Sequence, residues 1–146
     1  MQDQTIDVRS GEELNLDKLS AYLKEQIPGF TAITEIRQFP GGFSNLTYLL
    51  RTNLGAWVLR RPPRGAKIKS AHDMAREFRV LEKIQRIYGR IPAPIHLCED
   101  QELLGYTFYV MERVEGIILR NKPPQDLDLS PPRMRVISEA TIDNLA

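Results

Sequence analysis

The stretch SAHDMAREFRVLEKIQRIY, from Ser70 to Tyr88, decides how this chain is read. Apolar residues recur in it at three- and four-residue intervals, which predicts an amphipathic helix. Ser70 is the expected N-cap, with Asp73 three residues on in a capping-box-like start, and Gly89 is the stop. Glu77 stands out. Leu81, Ile84 and Tyr88 lie four, seven and eleven places after it, so it shares their stripe. A carboxylate on a core-facing stripe needs a partner. The helical neighbours Asp73, Met74, Val80 and Leu81 supply none. Either the partner comes from elsewhere in the fold, or Glu77 sits at the solvent edge of the stripe.

Upstream, three strands are expected: Thr31 to Phe39, Leu46 to Thr52 and Trp57 to Arg60. Asn53-Leu54-Gly55 between the last two has hairpin chemistry. Strand alternation sends Arg60 and Arg61 to opposite faces and puts Arg60 on the face of Val58. An Arg60–Glu77 pair across the sheet–helix gap follows as an expectation. Pro40-Gly41-Gly42-Phe43-Ser44-Asn45 joins the first two strands. It is either a plain hairpin loop or a backbone nest for an anion, because glycine lets N–H groups approach a phosphate closely.

Downstream, Ile95 to Glu99 and Tyr106 to Arg113 read as strands joined by a loop ending at Gly105. Tyr109 to Gly116 then leaves the sheet as an edge strand and turn, or as a hinge. Asn121 to Pro132 holds four prolines and reads as a linker, and Ser130-Pro131 opens a last helix. A short helix from Asn15 to Gln26 precedes the sheet. The layout is α+β: a five-stranded, mostly antiparallel sheet with one long covering helix. Three segments are expected: residues 1–29, 30–116 and 117–146.

Composition narrows the function. Twenty Lys and Arg against nineteen Asp and Glu give no support to a nucleic-acid binder. One cysteine, Cys98, rules out an internal disulfide and a multi-Cys zinc site. No apolar run approaches the roughly 18 residues of a membrane span. The N-terminus does not look like a signal peptide, so a cytoplasmic setting is the expectation.

The order of strand, Gly loop, strand, basic strand, Glu helix and hinge resembles the N-terminal lobe of a kinase-like fold. The wording is more similar to the aminoglycoside phosphotransferase superfamily, and within it to the subgroup found free in bacteria or fused to acyl-CoA dehydrogenases. The matching pieces are Gly41 to Leu50, Trp57 to Pro63, Ala75 to Leu81 and Phe108 to Gly116. The resemblance implies an ATP-binding lobe with Mg. Arg60 would stand where most kinases carry the phosphate-holding lysine, and Glu77 where its partner belongs. Arg presents a wider, planar donor fork, so it is not equivalent to Lys. Gly41, Gly42 and Ser44 would cover the phosphates. Glu112 and Val114 would offer backbone groups to the adenine edge, with Val58 and Met111 flanking the ring.

The superfamily keeps its His-Gly-Asp-like loop and metal-binding Asp in a second lobe, and neither is recognisable in this sequence. His72 and His96 lie in the wrong contexts and read as structural or solvated. Asp126 and Asp128 read as polar surface, and Cys98 as a small core residue. The expectation is therefore the nucleotide-binding front part of a phosphotransferase acting on a hydroxyl of a small molecule, inactive without its catalytic lobe. A non-catalytic kinase-like module, or a binder of another phosphorylated ligand such as a coenzyme A derivative, are the alternatives. Val58, Met111, Val114, Met134 and Ile137 are expected to expose apolar surface on the hinge side and to favour a homodimer.

Overall fold

Alternation along two neighbouring strands sets the whole architecture. In the computed structural model, which describes residues 4–41, 45–63, 65, 73–117 and 127–145, β2 (Leu46–Thr52) and β3 (Gly55–Arg61) form an antiparallel hairpin. Gly55 takes φ +117°, a conformation costly for side-chain-bearing residues. The Thr52 hydroxyl closes the turn, donating to the Gly55 carbonyl at 2.9 Å. β1 (Ile33–Gln38), β4 (Pro94–Cys98) and β5 (Phe108–Glu112) complete the sheet. The strand order is β1-β2-β3-β5-β4, with every neighbouring pair antiparallel.

Leu46, Tyr48 and Leu50 of β2, Trp57 and Leu59 of β3, and Phe108 and Val110 of β5 point to one face and form the main core. That face is closed by α1 (Leu16–Gln26), whose Leu19 and Leu23 are fully buried, and by Leu14 and Phe30. Asn15 caps α1, its side chain accepting from the Lys18 N–H at 3.1 Å. The helix ahead of the sheet is thus part of the sheet's own core. Leu103 and Leu104 pack against the same core from α3 (Gln101–Leu104), a single turn where the sequence reads as loop. Asp100 caps it, and Gly105 ends it in a left-handed conformation with φ +89°.

The other face carries α2 (Met74–Gln85). Met74 and Phe78 pack on Tyr109, with Leu81, Leu97 and Met111 around them. The buried stripe is Met74, Ala75 and Phe78, whereas Ile84 is exposed. This corrects the expectation that Glu77 shares a core stripe with Ile84 and Tyr88. The N-cap is Asp73, accepting from the Arg76 N–H at 2.9 Å; Ser70 lies outside the described residues. Helix α2 ends at Gln85, before Tyr88, with Ile84 of its last turn exposed.

The residues group into two compact units, Gln4–Glu115 and a second that begins at Gly116. The second contains α4 (Pro131–Leu145), opened by the Met134 N–H donating to the Ser130 carbonyl at 2.9 Å. Arg135 and Glu139 pair one turn apart on its surface at 3.1 Å.

Candidate functional site

Arg60 and Glu77 meet across the gap between β3 and α2, with Nη2 3.4 Å from Oε2. The pleat sends Arg60 to the α2 face, and the first turn of α2 points Glu77 back over β3. Both side chains are about one-third exposed. Glu77 therefore lies at the edge of the stripe and also has its partner, so the two readings left open by the sequence both hold. Two further groups hold its carboxylate. The Asn45 amide donates to Oε1 at 3.0 Å, and the Tyr109 hydroxyl donates to Oε2 at 3.0 Å. Burial pushes the Tyr109 hydroxyl far above its ordinary value, so it stays a donor. Among the described residues the buried Arg60 Nε has no hydrogen-bond partner.

Arg61, one residue on, is fully buried on the opposite face. It donates to the Tyr48 hydroxyl at 3.1 Å and to the Glu12 carbonyl at 3.0 Å. Its guanidinium stacks 4.7 Å from the Tyr106 ring centre and 5.5 Å from that of Tyr48. Burial, partly offset by Arg61, pushes the Tyr48 hydroxyl up to about 12. The sequence places Arg61 on this face but carries no sign of this cage, because its members lie 13 to 49 residues away.

Beside Arg60 on the α2 face runs the cross-strand row Leu49, Val58 and Met111. Val58 is only 7 % exposed, which corrects the expectation that it leaves apolar surface open: a central strand is shielded from both sides. Met111 is half-buried and Val114 exposed. After β5 the chain stays tied to the sheet, with the Glu112 N–H on the Ala93 carbonyl at 2.8 Å and the Arg113 N–H on the Ala56 carbonyl at 3.1 Å. Gly41 is half-buried; Gly42 and Ser44, like His72 and Asp126, lie outside the described residues.

The remaining candidates are structural. His96 Nε2 lies 2.9 Å from the Tyr22 hydroxyl, and burial lowers its pKa. Cys98 is buried in the main core. Among the described residues no group of His, Cys, Asp and Glu could hold a metal ion, and no helix is long and apolar enough to cross a membrane. A cavity of about 940 Å³ opens elsewhere, between the start of α1, the end of β3 and α3. Its lining has Glu13, Asp73, Glu99 and Glu102 against a single Lys18. That is the wrong sign for a phosphate.

Residues 35–137 match the family model described as the phosphotransferase enzyme family. The chain belongs to that family. Its fold is also that of a solved candidate aminoglycoside phosphotransferase from Ralstonia eutropha, with a TM-score of 0.66 and 28% identity over 84% of this chain and 34% of that one. Among curated relatives, human acyl-CoA dehydrogenase family member 11 is 38% identical over 132 residues, 88% of this chain and 17% of that protein. Mouse acyl-CoA dehydrogenase family member 10 is 36% identical over 137 residues, 93% of this chain and 13% of that protein. The chain thus spans less than a fifth of these relatives' length. The fold is a kinase-like α+β phosphotransferase fold, and the family supports a kinase-like phosphotransfer function.

Proposed function

We propose that this chain is the ATP-binding lobe of a small-molecule phosphotransferase that moves the γ-phosphate to a hydroxyl group. The Arg60–Glu77 pair carries the reading. A guanidinium has five N–H donors, and here one nitrogen meets Glu77 at 3.4 Å while Nε has no acceptor among the described residues. Donors are left for an anion, which fits a nucleotide phosphate. Half-buried Met111 on the same face suits a flat base, with the buried Val58 beneath it as a floor. The Glu112 N–H is already spent on Ala93, so in this reading Glu112 offers its carbonyl, and Val114 supplies the N–H. Gly41, Gly42 and Ser44 are assigned to the phosphates.

ATP with Mg supplies the transferable phosphoryl group and the charge neutralisation that this chemistry needs. The chain's own part is to bind and orient the phosphates, which lowers the entropic cost of reaching the transition state. The activating Asp, the Mg ligands and the acceptor site are assigned to a second lobe.

The test is ATP affinity by calorimetry. Arg60→Ala should weaken binding by about ten- to a hundredfold, the range for hydrogen bonds to a charged group. Arg79→Ala removes an exposed Arg of α2 that pairs with Glu99, just after β4, and should leave affinity unchanged. Arg61→Ala is a poorer control than the sequence suggests, because it strikes the core. Equal effects of Arg60→Ala and Arg79→Ala would overturn the reading, and a wild-type preference for coenzyme A over ATP would replace it with the other phosphorylated ligand.

A further inference from the structure

An ion pair at 3.4 Å between two side chains one-third open to water does not by itself hold a long carboxylate in one place, since solvent screens the attraction and both rotamers are costly to freeze. The Glu77 carboxylate is nevertheless bonded through both oxygens. The Asn45 amide occupies Oε1 and the Tyr109 hydroxyl occupies Oε2. These two anchors are much better buried than the pair they hold: Asn45 is 4 % exposed and Tyr109 1 %. Tyr109 is further locked by edge contact with Phe78, ring centres 5.9 Å apart. The anchors also come from separate elements. Asn45 stands at the entry to β2, directly after the Gly-rich segment in sequence, and Tyr109 lies on β5. Each donates to an acceptor on α2. The carboxylate therefore ties three elements together, while Arg60 meets it from a fourth.

We propose that Asn45 and Tyr109 are positioning residues, which fix the Glu77 carboxylate and through it aim the Arg60 guanidinium at the phosphates of the bound nucleotide. The proposal rests on the nucleotide reading above. It predicts a selective defect. An anchor that acts only through Arg60 matters to a ligand with phosphates and not to one without them.

The experiment compares ADP with adenosine by calorimetry, using the full chain and checking each variant's fold by thermal melting. Tyr109→Phe keeps the ring and removes only the donor. It should weaken ADP by about three- to tenfold, the scale of one hydrogen bond, and leave adenosine within about twofold. Asn45→Ala should do the same. In an Arg60→Ala background neither variant should weaken ADP further, since contacts that act through one group are not additive. Equal losses for ADP and adenosine, or full additivity with Arg60→Ala, would overturn the proposal and leave the nucleotide reading standing. A wild-type chain that binds both ligands equally, or neither, would remove that reading and the proposal with it. If Tyr109→Phe does not fold, Asn45→Ala decides alone. Loss of folding in both would make the two residues structural and overturn the proposal.

Discussion

Arg60 and Arg61 are the same residue type, one peptide apart, and the pleat gives them unrelated work. Arg60 lies one-third exposed beside Glu77, whereas Arg61 is walled in by Tyr48, Tyr106 and the Glu12 carbonyl. Truncating Arg61 would take one of two donors from the Glu12 carbonyl, which keeps the Tyr48 hydroxyl at 2.7 Å, leave one acceptor site on that hydroxyl empty and open a void between two rings. Arg61→Ala should therefore cost about 2–4 kcal/mol in urea unfolding, as buried polar and cavity losses combine. Arg60→Ala, at an ion pair one-third open to water, should cost under about 1 kcal/mol. A smaller loss for Arg61 than for Arg60 would reverse this assignment of roles.

At the scale of elements, the contact of α1 with β4 is expected to respond to pH. The Tyr22 hydroxyl meets His96 Nε2, and their rings stack at a tilt with centres 5.5 Å apart. Burial holds His96 below its ordinary value of 6.5. The unfolded chain then takes up this proton first, so protonation favours unfolding. Stability from this site is fully present above pH 6.5 and is lost as pH falls below it toward the folded-state pKa. The melting temperature should drop between about pH 7 and pH 5, and His96→Gln should flatten that drop. An unchanged slope in His96→Gln would place the effect elsewhere. The start of α2 matters in another way. Asp73 caps the helix through the Arg76 N–H, and Glu77 follows within that first turn, where the helix dipole favours a negative charge.

For the molecule as a whole, binding and chemistry are expected to be separable. Phosphoryl transfer takes most of its rate from positioned acid–base and metal-holding groups, and the sequence carries no His-Gly-Asp-like loop or later metal-binding Asp motif. The purified 146 residues should bind ATP yet show no turnover above background. Turnover that persists after removal of contaminating kinases, and that Arg60→Ala abolishes, would move the catalytic groups into this chain.

Much of this was determined by sequence alone. Period-two alternation, Gly-punctuated turns and a helix with period 3.6 define the strands and α2, because local sterics and one-sided burial act over a few residues. The same local rules placed Arg60 and Arg61 on opposite faces and left Glu77 needing a partner. The single turn of α3 is too short to show a period. The helical pattern also suggested the wrong buried stripe on α2, because which side of a helix is covered depends on the strands beneath it. Only the tertiary structure brought Asn45 and Tyr109, each 32 residues from Glu77, onto its carboxylate, and closed the cage around Arg61. Hydrogen bonds at such separations are made when strands from distant parts of the chain pair in register, and no local pattern encodes that meeting.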